Sequence, residues 1–192
     1  MLKKQIILFA ATVSLSLSSS VSAHEQKYTI GLAVANLQAD FFNFIKESAE
    51  EEGERLGYDI ITVDAGGDSA KQVSQIQDLI WRKVDALIYI PAGATASDVP
   101  VRAAKNAGIP VVNVDRNTQN PPGDTFIATD SEEAARILGE YVAKITGGKG
   151  VVGVVQGQLG TTPEIARDTG FEKALAGYPN LNTVEKQASK GW

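Results

Sequence analysis

The 192-residue sequence predicts an α/β fold built on a parallel sheet with helices on both faces. Three observations carry that prediction. Short apolar runs rich in Val and Ile recur along the chain, and they are continuous rather than alternating, as strands buried on both faces are. Between them lie stretches whose apolar residues repeat at helical spacing. The connections are short, so strand and helix succeed one another as right-handed βαβ units.

Taken in order, residues 28–35 (YTIGLAVA) form the first strand. Residues 41–56 read as a helix with Ile45, Ala49 and Leu56 on one face, Glu50, Glu51 and Glu52 in water, and Gly57 as its stop. Residues 58–63 are the second strand. Residues 70–84 are helical, with a stripe of Val73, Ile76, Ile80 and Val84. Residues 86–90 are the third strand, stopped by Pro91. Residues 98–106 are the third helix, where Pro100 is tolerated in the first turn, and Gly108 closes it. Residues 109–114 are the fourth strand, with Pro110 near its start, where a missing N–H does no harm. A short fifth strand spans 125–128.

The later chain repeats the pattern over fewer elements. A fourth helix begins at Thr129-Asp130-Ser131, with Ala134, Ile137, Leu138, Tyr141, Val142 and Ile145 on its expected buried face. A Gly-rich turn at 147–150 leads to an apolar strand at 151–156. Thr162 is placed to cap a fifth helix, and Pro163 suits its first turn. That helix runs to Ala176, and a weaker strand spans 181–188. Two strands and two amphipathic helices close no core alone. The organisation expected is therefore one full lobe at 24–129 and a partial second lobe at 130–192, less protected and a weak binder by itself.

Residues 1–23 have Lys3 and Lys4, an apolar run and a Ser-rich stretch ending Val21-Ser22-Ala23, the pattern of a cleavable secretory signal peptide. The run is too short to span a bilayer. An exported, soluble mature protein is expected, without a lipid-modified Cys. The chain has no Cys and one His, His24, which rules out thiolate chemistry and a His-based triad or metal cluster within it. Its net charge of −5 speaks against nucleic acid or an anionic membrane as main partner. No G-x-G-x-x-G follows the first strand, Gly147-Gly148-Lys149-Gly150 precedes a strand rather than a helix, and no G-x-S-x-G occurs. No cofactor and no catalysis are expected.

The residues with ligand chemistry collect at one edge. Asp115 and Arg116 follow the fourth strand directly, at the carboxyl end of the sheet where open α/β folds bind ligands. A carboxylate accepts and a guanidinium donates in a fixed fork, so together they grip hydroxyls; the plainer alternative is an ion pair of little consequence. Phe41 and Phe42 open the first helix, where at most one can face the core squarely; a free aromatic face stacks on a sugar ring. Arg167 on the fifth helix either joins this group or pairs with Glu164. Trp192 is either a core residue or a stacking aromatic.

Several segments occur in a specific order: Asp40-Phe41-Phe42, Glu54-Arg55-Leu56-Gly57-Tyr58, Gln77-Asp78-Leu79-Ile80, Asp85-Ala86-Leu87-Ile88, Gly108-Ile109-Pro110-Val111-Val112, Val114-Asp115-Arg116, Ile127-Ala128-Thr129-Asp130, and Gly160-Thr161-Thr162 through Arg167 to Gly170-Phe171. In this order they resemble the periplasmic sugar-binding proteins of the ribose-binding type, the substrate-binding proteins of ABC transporters. The resemblance covers residues 27–192. It implies the periplasmic-binding-protein type 1 fold: a flavodoxin-like, doubly wound parallel sheet lobe followed by a similar lobe, here incomplete. Ligand roles are implied for Phe41, Phe42, Asp115, Arg116 and Arg167, with Trp192 near a stacking position of the second lobe. Ile90 and Ala39 stand where ribose binders carry Asn, which puts ribose itself in doubt. The resemblance further implies a neutral monosaccharide or cyclic polyol as ligand, ABC permease subunits as partners, a periplasmic location and a monomeric full-length protein. The alternatives are a sugar sensor for a chemoreceptor or sensor kinase, and an exported enzyme on the same fold.

Overall fold

A computed structural model of the chain describes residues 27–94 and 96–189. The expected signal peptide, His24 and Trp192 lie outside them. The element order is β1 (Thr29–Val34), α1 (Asp40–Leu56), β2 (Asp59–Asp64), α2 (Ser69–Trp81), β3 (Ala86–Tyr89), α3 (Asp98–Asn106), β4 (Val111–Val114), β5 (Thr125–Ile127), α4 (Ser131–Thr146), β6 (Lys149–Gln156), α5 (Thr162–Leu175) and β7 (Asn180–Ala188). Every element expected from the sequence is present, with ends displaced by a few residues. Pro110 falls outside β4, and its carbonyl accepts the Leu87 N–H at 2.9 Å.

The first sheet has five parallel strands in the order β2-β1-β3-β4-β5. Chain order reverses between β1 and β3, so the loops after these strands splay apart and leave a crevice at their carboxyl ends. Strand alternation divides the core. Ala33, Leu87, Tyr89 and Val111 pack with Ile76 and Leu79 of α2 and Val101 and Ala104 of α3. Leu32, Val34 and Ile90 pack on the other face with Phe42 of α1. Asp68 caps α2 through the N–H groups of Ala70 and Lys71, and Asp130 caps α4 through Glu133. Gly57 and Gly147 end α1 and α4 in the left-handed conformation that a side chain disfavours.

Two expectations for α1 fail locally. Leu56 is exposed, because Gly57 turns the chain back at once and Ile60 packs on Gly53 instead. Glu50 is only half in water, since its carboxylate accepts from Thr62 Oγ1 and Lys46 Nζ, both at 2.7 Å.

The larger correction concerns α4. Ala134, Ile137, Leu138, Tyr141 and Ile145 form the face expected to be buried, though only in part for want of strands to cover it; all five are exposed, the four large ones at 55–63%, and the helix packs on its neighbour by another face. The face that α4 buries carries Ser131, Ala135, Gly139 and Ala143, spaced by four residues. These small residues let α5 approach closely. A Cβ at Gly139 would lie 2.6 Å from that of Ala174, and one at Gly170 would overlap the Glu132 carbonyl. The second sheet is the parallel pair β6-β7, which leaves Val151 and Val155 of β6 exposed among the described residues. Val142, Val152 and Phe171 pack around Ala143, Leu175 and Leu181 as a small separate core.

Gly170→Ala is expected to force α4 and α5 apart and destabilise this region by about 1–3 kcal/mol. Amide hydrogen exchange should quicken in α4, α5 and β6 and stay unchanged in β1 and β3.

Candidate ligand-binding site

The crevice is built by turns at the strand ends. β4 stops at Val114, and Asp115 adopts a left-handed conformation with φ 59°, which Asp tolerates better than most residues. Its N–H donates to Ile127 O at 2.9 Å, so the chain turns sharply while still tied to β5. The turn aims Asp115 and Arg116 together at the space in front of β1 and β3.

Arg116 is the most constrained of these residues, only 3% exposed. Its Nη1 donates to Pro91 O at 3.0 Å, Ala92 O at 3.1 Å and Gln158 Oε1 at 3.0 Å. Its guanidinium lies 5.3 Å from the centre of the Phe42 ring, within cation–π range. Nε stands 3.7 Å from Asp115 Oδ2, too far for a hydrogen bond, and has no partner among the described residues.

The acceptors of Arg116 are themselves held. Gln72 of α2, 1% exposed, donates from Nε2 to Ile90 O at 2.8 Å and accepts the Ala92 N–H at Oε1 at 2.7 Å. Its amide thus brackets Pro91 and presents the Pro91 and Ala92 carbonyls to the guanidinium. Gln158, in the loop after β6, donates from Nε2 to Ala92 O at 3.1 Å. Thr162 Oγ1 accepts the Asn117 N–H at 3.0 Å. Thr162 is therefore a bridge between the two sheets, and Thr161, not Thr162, is the N-cap residue of α5.

Burial pushes the Asp115 carboxyl above its ordinary range, and the charges of Arg116 and Arg167 offset this only in part. Burial likewise holds the Arg116 guanidinium below its usual value; Asp115 opposes that and Arg167 adds to it. Both directions reflect the loss of water around charged groups, a loss that the hydrogen bonds of Nη1 offset for Arg116 while its Nε is left without a partner among the described residues. Arg116 stays charged regardless. Hydroxyl groups that donate to Asp115 and accept from Arg116 would supply partners to both.

Asp115 and Arg116 share a cavity of about 280 Å³ with Ala39, Phe41, Phe42, Pro163 and Arg167. Five of the six residues singled out in the sequence thus line one space, and the sixth, Trp192, lies outside the described residues. The two Phe divide their work. Phe42 is buried beneath Arg116, whereas Phe41 is 55% exposed and meets Phe42 edge-on at 5.3 Å between centroids. Arg167 does not pair with Glu164, whose carboxylate accepts from Gln156 Nε2 and the Gly160 N–H. Ile90 is fully buried and does not line the cavity.

A larger hollow of about 430 Å³ lies between α4, α5 and β6, over the uncovered apolar side of Leu138, Val142 and Phe171. Among its polar groups, Gln156 Nε2 donates to Asp168 at 2.6 Å, and Lys186 Nζ donates to the same carboxylate at 3.0 Å.

Sequence reasoning missed Gln72, Gln158 and Pro163 as residues of the site; Ala39 it marked only as a departure from the Asn of ribose binders. Gln158 had a usable signal, since it lies two residues beyond an apolar strand, near the position Asp115 takes after β4. Gln72 had none, because a Gln on a predicted helix reads as a surface residue.

The family profile described as the periplasmic binding protein domain matches residues 30–192. The ribose import binding protein of Escherichia coli (strain K12) is 34% identical over 187 residues, covering 97% of this chain and 62% of that protein. The solved arabinose-transporter binding protein of Shewanella sp. ANA-3, bound to L-arabinofuranose, is 31% identical with a TM-score of 0.77, over 83% of this chain and 54% of the other. The myo-inositol-bound solute-binding protein of Bacillus halodurans C-125 superposes with a TM-score of 0.80 at 26% identity, over 85% of this chain and 57% of the other. The chain thus spans a little over half the length of the proteins it matches.

Because the Asp115 carboxyl is raised in the folded chain, its ionisation disfavours folding, and the effect sets in as pH rises from the ordinary carboxylate range through the raised value. The stability of the chain relative to an Asp115→Asn variant is therefore expected to fall as pH rises above the ordinary carboxylate range and to level off once the raised carboxyl is fully ionised. Urea unfolding of both proteins across that range measures it.

Proposed function

Since the chain belongs to the periplasmic binding protein domain family, we propose that it acts as the solute-binding component of an ABC-type sugar importer, holding a neutral monosaccharide or cyclic polyol without catalysing a reaction. One observation carries this reading: a single cavity joins a desolvated carboxylate acceptor, a fixed guanidinium donor and an open aromatic face in Asp115, Arg116 and Phe41. Hydroxyls both donate and accept, so a vicinal pair matches Asp115 and Arg116, while the C–H face of a ring matches Phe41. The cavity is of monosaccharide size, at the small end of ligand sites. The ribose import binding protein and the arabinose- and inositol-bound structures support the class of ligand.

In this proposal the lobes are residues 24–129 and 130–192, hinged near Thr129-Asp130, with Arg167 reaching the ligand from the second. The closed form docks on membrane permease subunits in the periplasm, after removal of residues 1–23. No helix among the described residues is long and apolar enough to cross a membrane. With the far side of α4 uncovered, this chain's own affinity is expected to be weak.

The test is a calorimetric or NMR titration of the chain lacking residues 1–23 against neutral pentoses, hexoses and inositols, with amino acids and sugar phosphates alongside. A neutral polyol is expected to bind, and Asp115→Asn to weaken it at least about tenfold, the loss of one charge-assisted hydrogen bond. Binding only by amino acids or phosphorylated compounds would refute the proposal. Asp115→Asn is cleaner than Arg116→Ala, because Arg116 also ties the loop after β3 to Gln158.

A further inference from the structure

The lining of the crevice divides by chemistry. Asp115, Arg116 and Arg167 offer charge, whereas Ala39 and Pro163 offer nothing to a hydroxyl. Ala39 has no polar side chain, and its backbone is already engaged: its N–H donates to Asn36 O at 3.3 Å, and its carbonyl accepts from Phe42 N at 3.0 Å and Asn43 N at 3.4 Å. Pro163 has no N–H at all. A hydroxyl pressed against these two residues would give up its hydrogen bonds to water and gain none.

The residue at position 39 is itself out of keeping with its place in the fold. It is the N-cap of α1, with the extended backbone (φ −98°, ψ 124°) that a capping side chain requires, yet no side chain caps the helix. Ser, Thr, Asn and Asp are strongly preferred there over Ala. The same chain caps α2 with Asp68 and α4 with Asp130. α3 and α5 also start without a side-chain cap, but with Ser97 and Thr161 at the N-cap position; of the five helices described only α1 has a residue there with no side-chain oxygen to offer, and that residue lines the cavity. A local rule broken beside a ligand cavity points to a functional constraint.

We infer that the ligand lays an apolar edge, a methyl or methylene in place of a hydroxyl, against Ala39 and Pro163, so that the site takes a deoxy sugar or a deoxy cyclitol. This rests on the sugar-binding reading above and narrows it. Polar hydroxyls elsewhere on the ring meet Asp115 and Arg116, and Ala39 sets the preference among ligands that share them. An apolar wall discriminates against an added hydroxyl by about tenfold to a hundredfold.

The experiment titrates the chain lacking residues 1–23 with D-galactose, D-ribose and myo-inositol and with each of their monodeoxy derivatives. One monodeoxy derivative is expected to bind about tenfold or more tightly than its parent, the others more weakly. Ala39→Ser adds both a cap and a hydroxyl. It is expected to raise the melting temperature while shifting the deoxy-to-parent affinity ratio at least about fivefold toward the parent. Parents that bind more tightly than all their deoxy derivatives would overturn the inference and leave the sugar-binding reading standing. So would an affinity ratio that Ala39→Ser does not move. Absence of binding by every parent and every derivative would overturn both.

Discussion

The burial of the Arg116 guanidinium is the constraint to which most of the site is fitted. A charge taken out of water is tolerable only when hydrogen bonds and a counter-charge replace the lost hydration. Here the replacement comes from three directions: carbonyls of the loop after β3, an aromatic face from α1, and the Gln158 amide from the loop after β6. Asp115 supplies the counter-charge from 3.7 Å, close enough for Coulomb attraction and too far for a hydrogen bond. The set is incomplete, since Nε has no partner among the described residues and burial leaves the carboxylate poorly solvated. In the proposed function this incompleteness is what a ligand exploits, because one that completes the pair gains more than it would from an exposed pair.

The same guanidinium joins the two halves of the chain. Gln158 contacts both Arg116 and the Ala92 carbonyl, and Thr162 holds the Asn117 N–H. The link between the first sheet and the elements beyond Asp130 is thus polar and local to the site. Polar, site-centred links of this kind are consistent with the proposed closing of two lobes around a ligand, where an extensive apolar seam would lock them. Stability of each half comes from elsewhere: from the two faces of the five-stranded sheet in the first, and from the tight α4–α5 contact through Gly139 and Gly170 in the second.

The helix pair also shows what an amphipathic pattern leaves out. α4 carries two candidate faces, one of large apolar residues and one of small ones, and hydrophobicity alone selects the first. The helix packs by the second, because close approach of two backbones depends on small side chains rather than apolar ones. The large face of Ile137, Leu138, Tyr141 and Ile145 then lies open among the described residues.

By itself the sequence determined the alternation of strands and helices, their order, and the collection of Asp115, Arg116 and Phe41 at strand ends. These follow from local patterns: apolar runs, helical spacing, and Gly and Pro stops, each legible within a dozen residues. It also marked Arg167 as a candidate, but left open whether that side chain joined the group or paired with Glu164. Only the tertiary structure decided that question, and it decided which face of α4 was buried, that Phe42 lay under Arg116 while Phe41 stayed open, and that Gln72 and Gln158 held the site in place. The reason is the same in each case. Those outcomes depend on which segments, tens of residues apart in the chain, come within hydrogen-bonding distance, and no local pattern of side chains encodes that.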